Sequence, residues 1–542
     1  MQDKPSAATP AHHEFIVIGA GVCGIYQLHR LLQLEADVTL LEAGSDLGGT
    51  WYWNRYPGAR FDSESYSYGY SFDPEILASW NWSEHFAAQP ETLRYLNFVA
   101  DKLSLRDHMQ FDARVLSAHF DEHANHWHLK LEDGRTFTCK FLLTAIGMLS
   151  AATLPNIPGV ENFRGHAFHT YQWPQAPLSL AGKRVAVIGT GATGVQLIGA
   201  IADSVGELVV YQRRPNWCAP LHNSPIEAAE MERIKASYDE IFARLEQTPG
   251  GFLHGPDRRM FADVPVDERL AFWEALYAAP GFGIWLGNFR DVLVDPAVNA
   301  QFSAFIADKI RQRVHDPAVA DKLIPRDHGF GSRRVPMETH YYEAYNHAHV
   351  HLVDINETPI ERIVADGIET TAGVRKFDVI IYATGFDAVT GAFDRMDIRG
   401  IGGQRLADKW RAGPATYLGM SVAGFPNLFT LAGPQGASVS SNFPPNIEFA
   451  VNWTTDLLTW LRQRGVRRIE ATPSAEAQWC DEIKAGYEGS LLATAKSWFT
   501  GYNSNVAGHD DMRYMMYLLG SPKYRARLNA VAAQGYEGFN IE

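Results

Sequence analysis

The sequence predicts an α/β chain of two Rossmann-like dinucleotide-binding domains with an inserted helical lobe, and three observations predict it. A short apolar strand, EFIVIG at 14–19, enters the loop Gly19-Ala20-Gly21-Val22-Cys23-Gly24 and then the helical pattern IYQLHRLLQL. Strand and loop recur 170 residues later as KRVAVIG and Gly189-Thr190-Gly191-Ala192-Thr193-Gly194. Between 225 and 332 the alternation stops, and PIEAAEMERIKASYDEIFARL, ERLAFWEALYAA and AFIADKIRQRV carry apolar residues at three- and four-residue intervals.

Composition bounds the function. A chain of 542 residues exceeds one ordinary core. Hydrophobic residues at 46%, charged residues at 20% and no low-complexity tract exclude a disordered chain. A net charge of -14 repels polyanions, so nucleic acid is not expected as a partner. Residues 1–12, MQDKPSAATPAH, read as a flexible tail without the basic cluster or apolar core of a signal peptide. No later stretch approaches about 18 uninterrupted apolar residues. A soluble cytoplasmic protein with no membrane partner is therefore expected. Cys23, Cys139, Cys218 and Cys480 are widely separated, with neither dithiol nor metal-ligand spacing. No metal is expected, and the disulfide reductases, which also bind two dinucleotides, are disfavoured.

In the first unit Gly19 permits the tight turn, Gly21 lets backbone approach a pyrophosphate, and Gly24 lets the helix pack on the strand. The next strand, VTLLEA, ends with Glu42, which can accept from both ribose hydroxyls and repels a 2′-phosphate. That suits FAD or NAD. Residues 48–62, GGTWYWNRYPGARFD, read either as a cover over that cofactor or as a surface turn with aromatics tucked inward, and Asp62 as functional or as a turn carboxylate. From 108 to 147, HWHLKLED, GRTFTC and KFLLTAIG suggest a small antiparallel meander returning to a buried strand, and Ala145-Ile146-Gly147 marks where the chain leaves this domain.

In the second unit ELVVYQRR ends without a carboxylate and carries Arg213 and Arg214, cations able to pair with a 2′-phosphate, so NADPH is expected there. In GFGSRRVP, Gly329 and Gly331 suggest a mobile backbone; Arg333 and Arg334 read either as a solvated pair or as cations for a developing anion. HVHLVDI and KFDVIIYATGF resume the strand signal after the insert. FPNLFTLAG is a further strand, followed by the turn GPQGASVSSNFPP and a helix; in KSWFTGYN, Trp498 reads as packing.

Between the glycine loops lies FRGHAFHTYQWP. Through Phe163, Gly165, His169, Trp173 and Pro174 it fits the fingerprint F-x-G-x-x-x-H-x-x-x-W-P, so the chain resembles the Baeyer-Villiger monooxygenases, over nearly its whole length. A second family pattern runs from Gly49-Thr50-Trp51 through Tyr56-Pro57-Gly58 to Asp62. The resemblance implies FAD on residues 13–150 and 386–542, NADPH on 151–224 and 333–385, and a helical insertion at 225–332. It implies insertion of oxygen from O2 beside a ketone carbonyl, giving an ester or lactone through a C4a-peroxyflavin. Arg334 is implied as the catalytic cation, Asp62 as its orienting carboxylate, and Arg213 and Arg333 as readers of the 2′-phosphate. Gly189, Gly191, Thr193 and Gly194 take the pyrophosphate, and Trp498 folds over the nicotinamide cofactor. Ser438, Val439, Ser440 and Phe443 match a segment lining the substrate pocket. The fingerprint itself, His169 included, is implied to couple the two domains, and the protein is expected to be a monomer or weak homo-oligomer. The alternative is a flavin monooxygenase oxidising soft nitrogen or sulfur atoms, whose fingerprint generally lacks Trp173-Pro174.

Overall fold

The computed structural model describes residues 10–542, apart from the side chains of Val439 and Ser440. Of the expected tail, residues 1–9 lie outside this range, and Ala11 already begins the first strand, Ala11–Ile18. From Phe15 on, that strand is buried and has parallel neighbours on both sides, Val38–Leu41 and Thr136–Thr144. Such a strand must be apolar on both faces, which is why it reads as an unbroken run.

Strand Thr136–Thr144 joins two kinds of pairing. Its first half pairs antiparallel with His126–Leu131, and its second half pairs parallel with Leu428–Thr430. GRTFTC and KFLLTAIG, expected as separate segments, are thus one nine-residue strand; TFTCKFLLT contains no turn former to divide it. The meander alternates as a half-buried sheet must, with Trp127, Leu129 and Leu131 inward and the residues between them outward or at the margin. Along its main path the sheet runs Asp397–Arg399, Val115–Asp121, His126–Leu131, Thr136–Thr144, Ala11–Ile18, Val38–Leu41, Met109–Gln110, and Leu428–Thr430 lies off this path beside Thr136–Thr144.

The second sheet is parallel throughout, in the order Val350–Asp354, Glu207–Gln212, Arg184–Ile188, Val379–Tyr382, His166–His169. Its last strand is part of the fingerprint, where the sequence showed no strand signal. His166 and Ala167 are exposed, as an edge strand permits, and only His169 is buried.

The insert is helical over Ala228–Ala236, Tyr238–Gln247, Val266–Ala278, Pro296–Arg313 and Pro317–Leu323. The first run breaks at Ser237 into two helices. Asp295 and Asp316 cap the last two, each followed by a proline preset for the first helical position. The lobe has no core of its own. Met231 and Tyr238 belong to the core of the first unit, whereas Trp273, Phe302, Ile306 and Ile310 share a core with Val185, Val187 and Val210 of the second. Among the described residues, no helix is long and apolar enough to cross a membrane.

Candidate active site

The first glycine loop leaves no room for side chains. Gly19 turns at φ +105°, where a Cβ would meet the Ala145 carbonyl oxygen at 2.6 Å, and a Cβ on Gly24 would lie 1.8 Å from the Gly19 carbonyl oxygen. Helix Val22–Leu32 therefore starts hard against the strand. Its N-cap, Gly21, offers no side chain to the free N–H groups of the first turn, leaving a positive end bare for an anion. Gly49 closes the other side, since a Cβ there would lie 2.7 Å from the Gly21 Cα. Thr50 is exposed, and buried Trp51 donates its Nε1–H to Tyr68 at 3.3 Å. Glu42 is buried, with its two oxygens accepting the backbone N–H groups of Ala20 and Gly44, each at 2.7 Å. Burial raises its pKa and those donors oppose the rise.

The second loop repeats the construction with its face open. A Cβ on Gly189 or Gly194 would meet a carbonyl oxygen at 2.4 Å, that of Ala383 or of Gly189, while one on Gly191 would meet nothing within 4 Å. Gly191 again caps its helix, Ala192–Ile201, without a side chain. The following strand ends at Gln212, and exposed Arg213 donates to Ser504 Oγ at 2.7 Å. Thr193 hydrogen-bonds the Tyr56 side chain. Arg333 Nη2 donates to Asp327 at 2.9 Å, and Asp327 also takes His328 Nδ1–H at 2.7 Å. Although burial works against it, those two donors hold the Asp327 carboxyl below its usual range.

Arg334 and Asp62, 272 residues apart, meet. Arg334 Nη2 donates to Asp62 Oδ2 at 2.9 Å, with the Asp62 side chain 1% exposed and that of Arg334 34%. One edge of the guanidinium is thus anchored on a buried carboxylate, while about a third of the side chain stays exposed. Gln196, on the helix of the second glycine loop, donates to the other Asp62 oxygen at 3.3 Å and to the Arg60 carbonyl at 3.0 Å, and accepts from Tyr56 at 2.9 Å. This chain of bonds ties the loop after the first glycine unit to the helix of the second. Burial raises the pKa of Asp62, and the charge of Arg334 opposes that rise. Sequence reading missed Gln196; its signal is a lone amide within the apolar run VQLIGAI. The loop before Arg334 is held at Phe330: Asn299 donates to the Phe330 carbonyl and Ser303 Oγ accepts the Phe330 N–H, both at 2.9 Å. Gly329 is required because a Cβ would overlap Asn299 Oδ1.

Residues 13–248 match the family described as pyridine nucleotide-disulphide oxidoreductase. Its dithiol chemistry has no counterpart here, since all four cysteines are free and three of them buried. Over 532 residues the chain is 46% identical to 2-oxo-Delta(3)-4,5,5-trimethylcyclopentenylacetyl-CoA monooxygenase of Pseudomonas putida, covering 97% of this chain and 98% of that one. It is 38% identical, over 99% and 97%, to a Baeyer-Villiger monooxygenase of Pseudooceanicola batsensis. The chain belongs to the Baeyer-Villiger monooxygenase family. A crystal structure of OTEMO in complex with FAD and NADP superposes with a TM-score of 0.94 at 46% identity, covering 99% of this chain and 100% of that one.

The Baeyer-Villiger fingerprint sits where the second sheet meets the crossing back to the first. His169 accepts the Tyr171 N–H on Nδ1 and donates from Nε2 to the Gly385 carbonyl, both at 3.0 Å, which fixes one neutral tautomer. Burial lowers its pKa to about 4, against the pull of that carbonyl. Around it, Trp173 packs edge-on to Phe168, Pro174 follows, Phe163 joins the core beneath the sheet, and Gly165 is needed because a Cβ would meet the Asp378 carbonyl oxygen at 2.6 Å. In the same Baeyer-Villiger frame Trp498 and Phe443 come together with Trp285, Met148 and Leu149 in one apolar cluster. Trp285 also abuts Gly331, three residues before Arg334. Ser438 is buried on the turn Ala437–Ser440; the side chains of Val439 and Ser440 lie outside the described residues. Elsewhere Asp387, Asp394 and His509 hold potential metal-ligand atoms within 4.8 Å of one another. Arg513 Nη2, 2.9 Å from His509 Nδ1, already supplies a cation there.

Proposed function

We propose that the protein converts ketones to esters or lactones, with Arg334 as the cation beside the reacting oxygen atoms. The observation that carries this reading is the Arg334–Asp62 pair: a partly exposed guanidinium anchored on a buried carboxylate, at the meeting of the two dinucleotide units. The residues suit the cofactors. The backbone cradle of Gly19, Gly21, Gly24 and Gly49, with an uncapped helix and an acid at Glu42, suits FAD. Gly189, Gly191 and Gly194 with the cation of Arg213 suit NADPH. Residues 13–150 and 386–542 would hold the first and 151–224 and 333–385 the second.

The chemistry these groups supply when bound is hydride donation from the nicotinamide to the flavin and activation of dioxygen on the reduced flavin. Overall, ketone, O2, NADPH and a proton give ester, NADP+ and water. What the chain contributes is electrostatic and steric. Arg334 cannot deprotonate near neutral pH, so it remains a cation for the negative charge on the attacking oxygen and on the former carbonyl oxygen as carbon and oxygen join. Asp62 holds it in place, and Gln196 holds Asp62. Trp498, Phe443, Trp285, Met148 and Leu149 supply an apolar wall that takes the ketone and keeps water from the reacting atoms. His169, neutral and with both nitrogens engaged, has no free lone pair to act as a base; it fixes the Gly385 turn between the units.

The test is a panel of linear, cyclic and aromatic ketones, followed by NADPH consumption and product mass together. At least one ketone is expected to yield a product one oxygen heavier, in step with NADPH. NADPH oxidation that gives only hydrogen peroxide with every ketone refutes the proposal.

A further inference from the structure

The segment from Lys496 to Asn505, which carries Trp498, lies across the second unit. Asn503 Nδ2 donates to the Phe386 carbonyl at 2.8 Å and Asn505 Nδ2 to that of Thr384 at 3.2 Å. These residues directly follow Ala383, whose carbonyl oxygen bounds the Gly189 turn. At the other end of the dinucleotide unit, Arg213 Nη1 donates to Ser504 Oγ at 2.7 Å. Between them the Tyr502 ring is flanked by the Arg214 guanidinium at 5.6 Å and the Lys496 ammonium at 5.4 Å. The segment therefore touches both ends of the candidate NADPH site.

Its charges are unusual for a chain of net charge -14. Among the described residues, Arg213, Arg214 and Lys496 have no carboxylate partner, and the groups that act on Arg213 are Arg214 and Tyr502, neither acidic at neutral pH. Arg213 and Arg214 repel one another, and an anion beside them relieves that repulsion. Arg333, the other cation expected at the phosphate, is paired with Asp327. Ser504 adds a directional group: its oxygen accepts from Arg213 while its own proton stays free to be donated.

We infer that Ser504 is a cofactor-specificity residue, donating its hydroxyl proton to the 2′-phosphate that Arg213 binds, with Lys496 and Arg214 gathered around the same phosphate by Tyr502. This rests on the NADPH reading of the second glycine unit. The phosphate then fastens the segment that bears Trp498, so the far end of the cofactor sets the position of a side chain in the apolar wall. NADH, with a neutral hydroxyl at that position, lacks this fastening.

The experiment is calorimetric titration of purified, flavin-loaded protein with adenosine 2′,5′-bisphosphate and with AMP, which differ by the 2′-phosphate. Ser504→Ala is expected to weaken the bisphosphate by about tenfold or more, the worth of one charge-assisted hydrogen bond, and to leave AMP unchanged; Ser504→Thr keeps the wild-type ratio. Ser504 is exposed, so neither substitution threatens the fold. Arg213→Ala is the control. If it weakens the bisphosphate selectively and Ser504→Ala does not, the inference is overturned alone. If Arg213→Ala affects both ligands equally, the phosphate reading of the site falls and the inference with it.

Discussion

Arg334→Ala is expected to bind flavin normally and to let NADPH reduce it at close to the wild-type rate, while ester formation falls by about 10²- to 10³-fold or more, the cost of removing one preorganised charge from a developing oxyanion. The reason lies in the division of labour. Neither glycine loop involves Arg334; among the described residues its side-chain hydrogen bond goes to Asp62, which leaves the guanidinium to serve, on the proposed reading, the anion that forms beside it. Anaerobic flavin reduction and chromatographic ester yield separate the two halves. Loss of both together would mean that Arg334 holds a cofactor, and intact ester yield would remove it from the chemistry. Lysine at 334 restores charge but cannot hold Asp62 with one edge and present another, so a small fraction of the activity is expected to return.

Gly24→Ala is expected to purify with little flavin. Its methyl group would have to occupy space 1.8 Å from the Gly19 carbonyl oxygen and 2.9 Å from the Gly19 carbonyl carbon, backbone atoms that have no side-chain freedom to yield. The helix must back away from the strand by more than an ångström, which moves the bare helix end from the pyrophosphate. A loss of about 2–3 kcal/mol in flavin binding, roughly 30- to 150-fold, follows from overpacking of this size. Absorbance of the purified protein at the flavin band, set against its protein content, measures it. Gly191→Ala is the contrast, since its Cβ meets no protein atom, and flavin content is expected to be unchanged there.

These loops were legible because sterics alone dictates them: a strand, a turn with positive φ and a helix against the strand need glycine at fixed places, and the sequence has them. Glu42 and Arg213 stand out in the sequence because the end of the second strand is where such a unit meets the ribose. Arg334 and Asp62 were singled out by resemblance. Spacing could not have paired them, since the helical lobe lies between them in the chain. Gln196 was hidden by its own helix, whose apolar face dominates the pattern, and the fingerprint strand His166–His169 by being an exposed edge with no alternation to read. The pairing of Arg333 with Asp327 was not legible, because Asp327 sits in the connection preceding the loop, where sequence periodicity says nothing about which way a side chain turns. The lobe was found as helices but not as what it is, a covering shared between two cores, because burial partners are not written in a helical period.

The most direct test of the central claim follows the oxygen itself. Purified protein is given NADPH, an accepted ketone and dioxygen enriched in heavy oxygen, and the product is examined by fragmentation mass spectrometry. The account predicts one heavy atom in the product, at the new ester oxygen between the former carbonyl carbon and its migrated neighbour, with the carbonyl oxygen light. A product without heavy oxygen, or heavy oxygen found only as hydrogen peroxide, would contradict it.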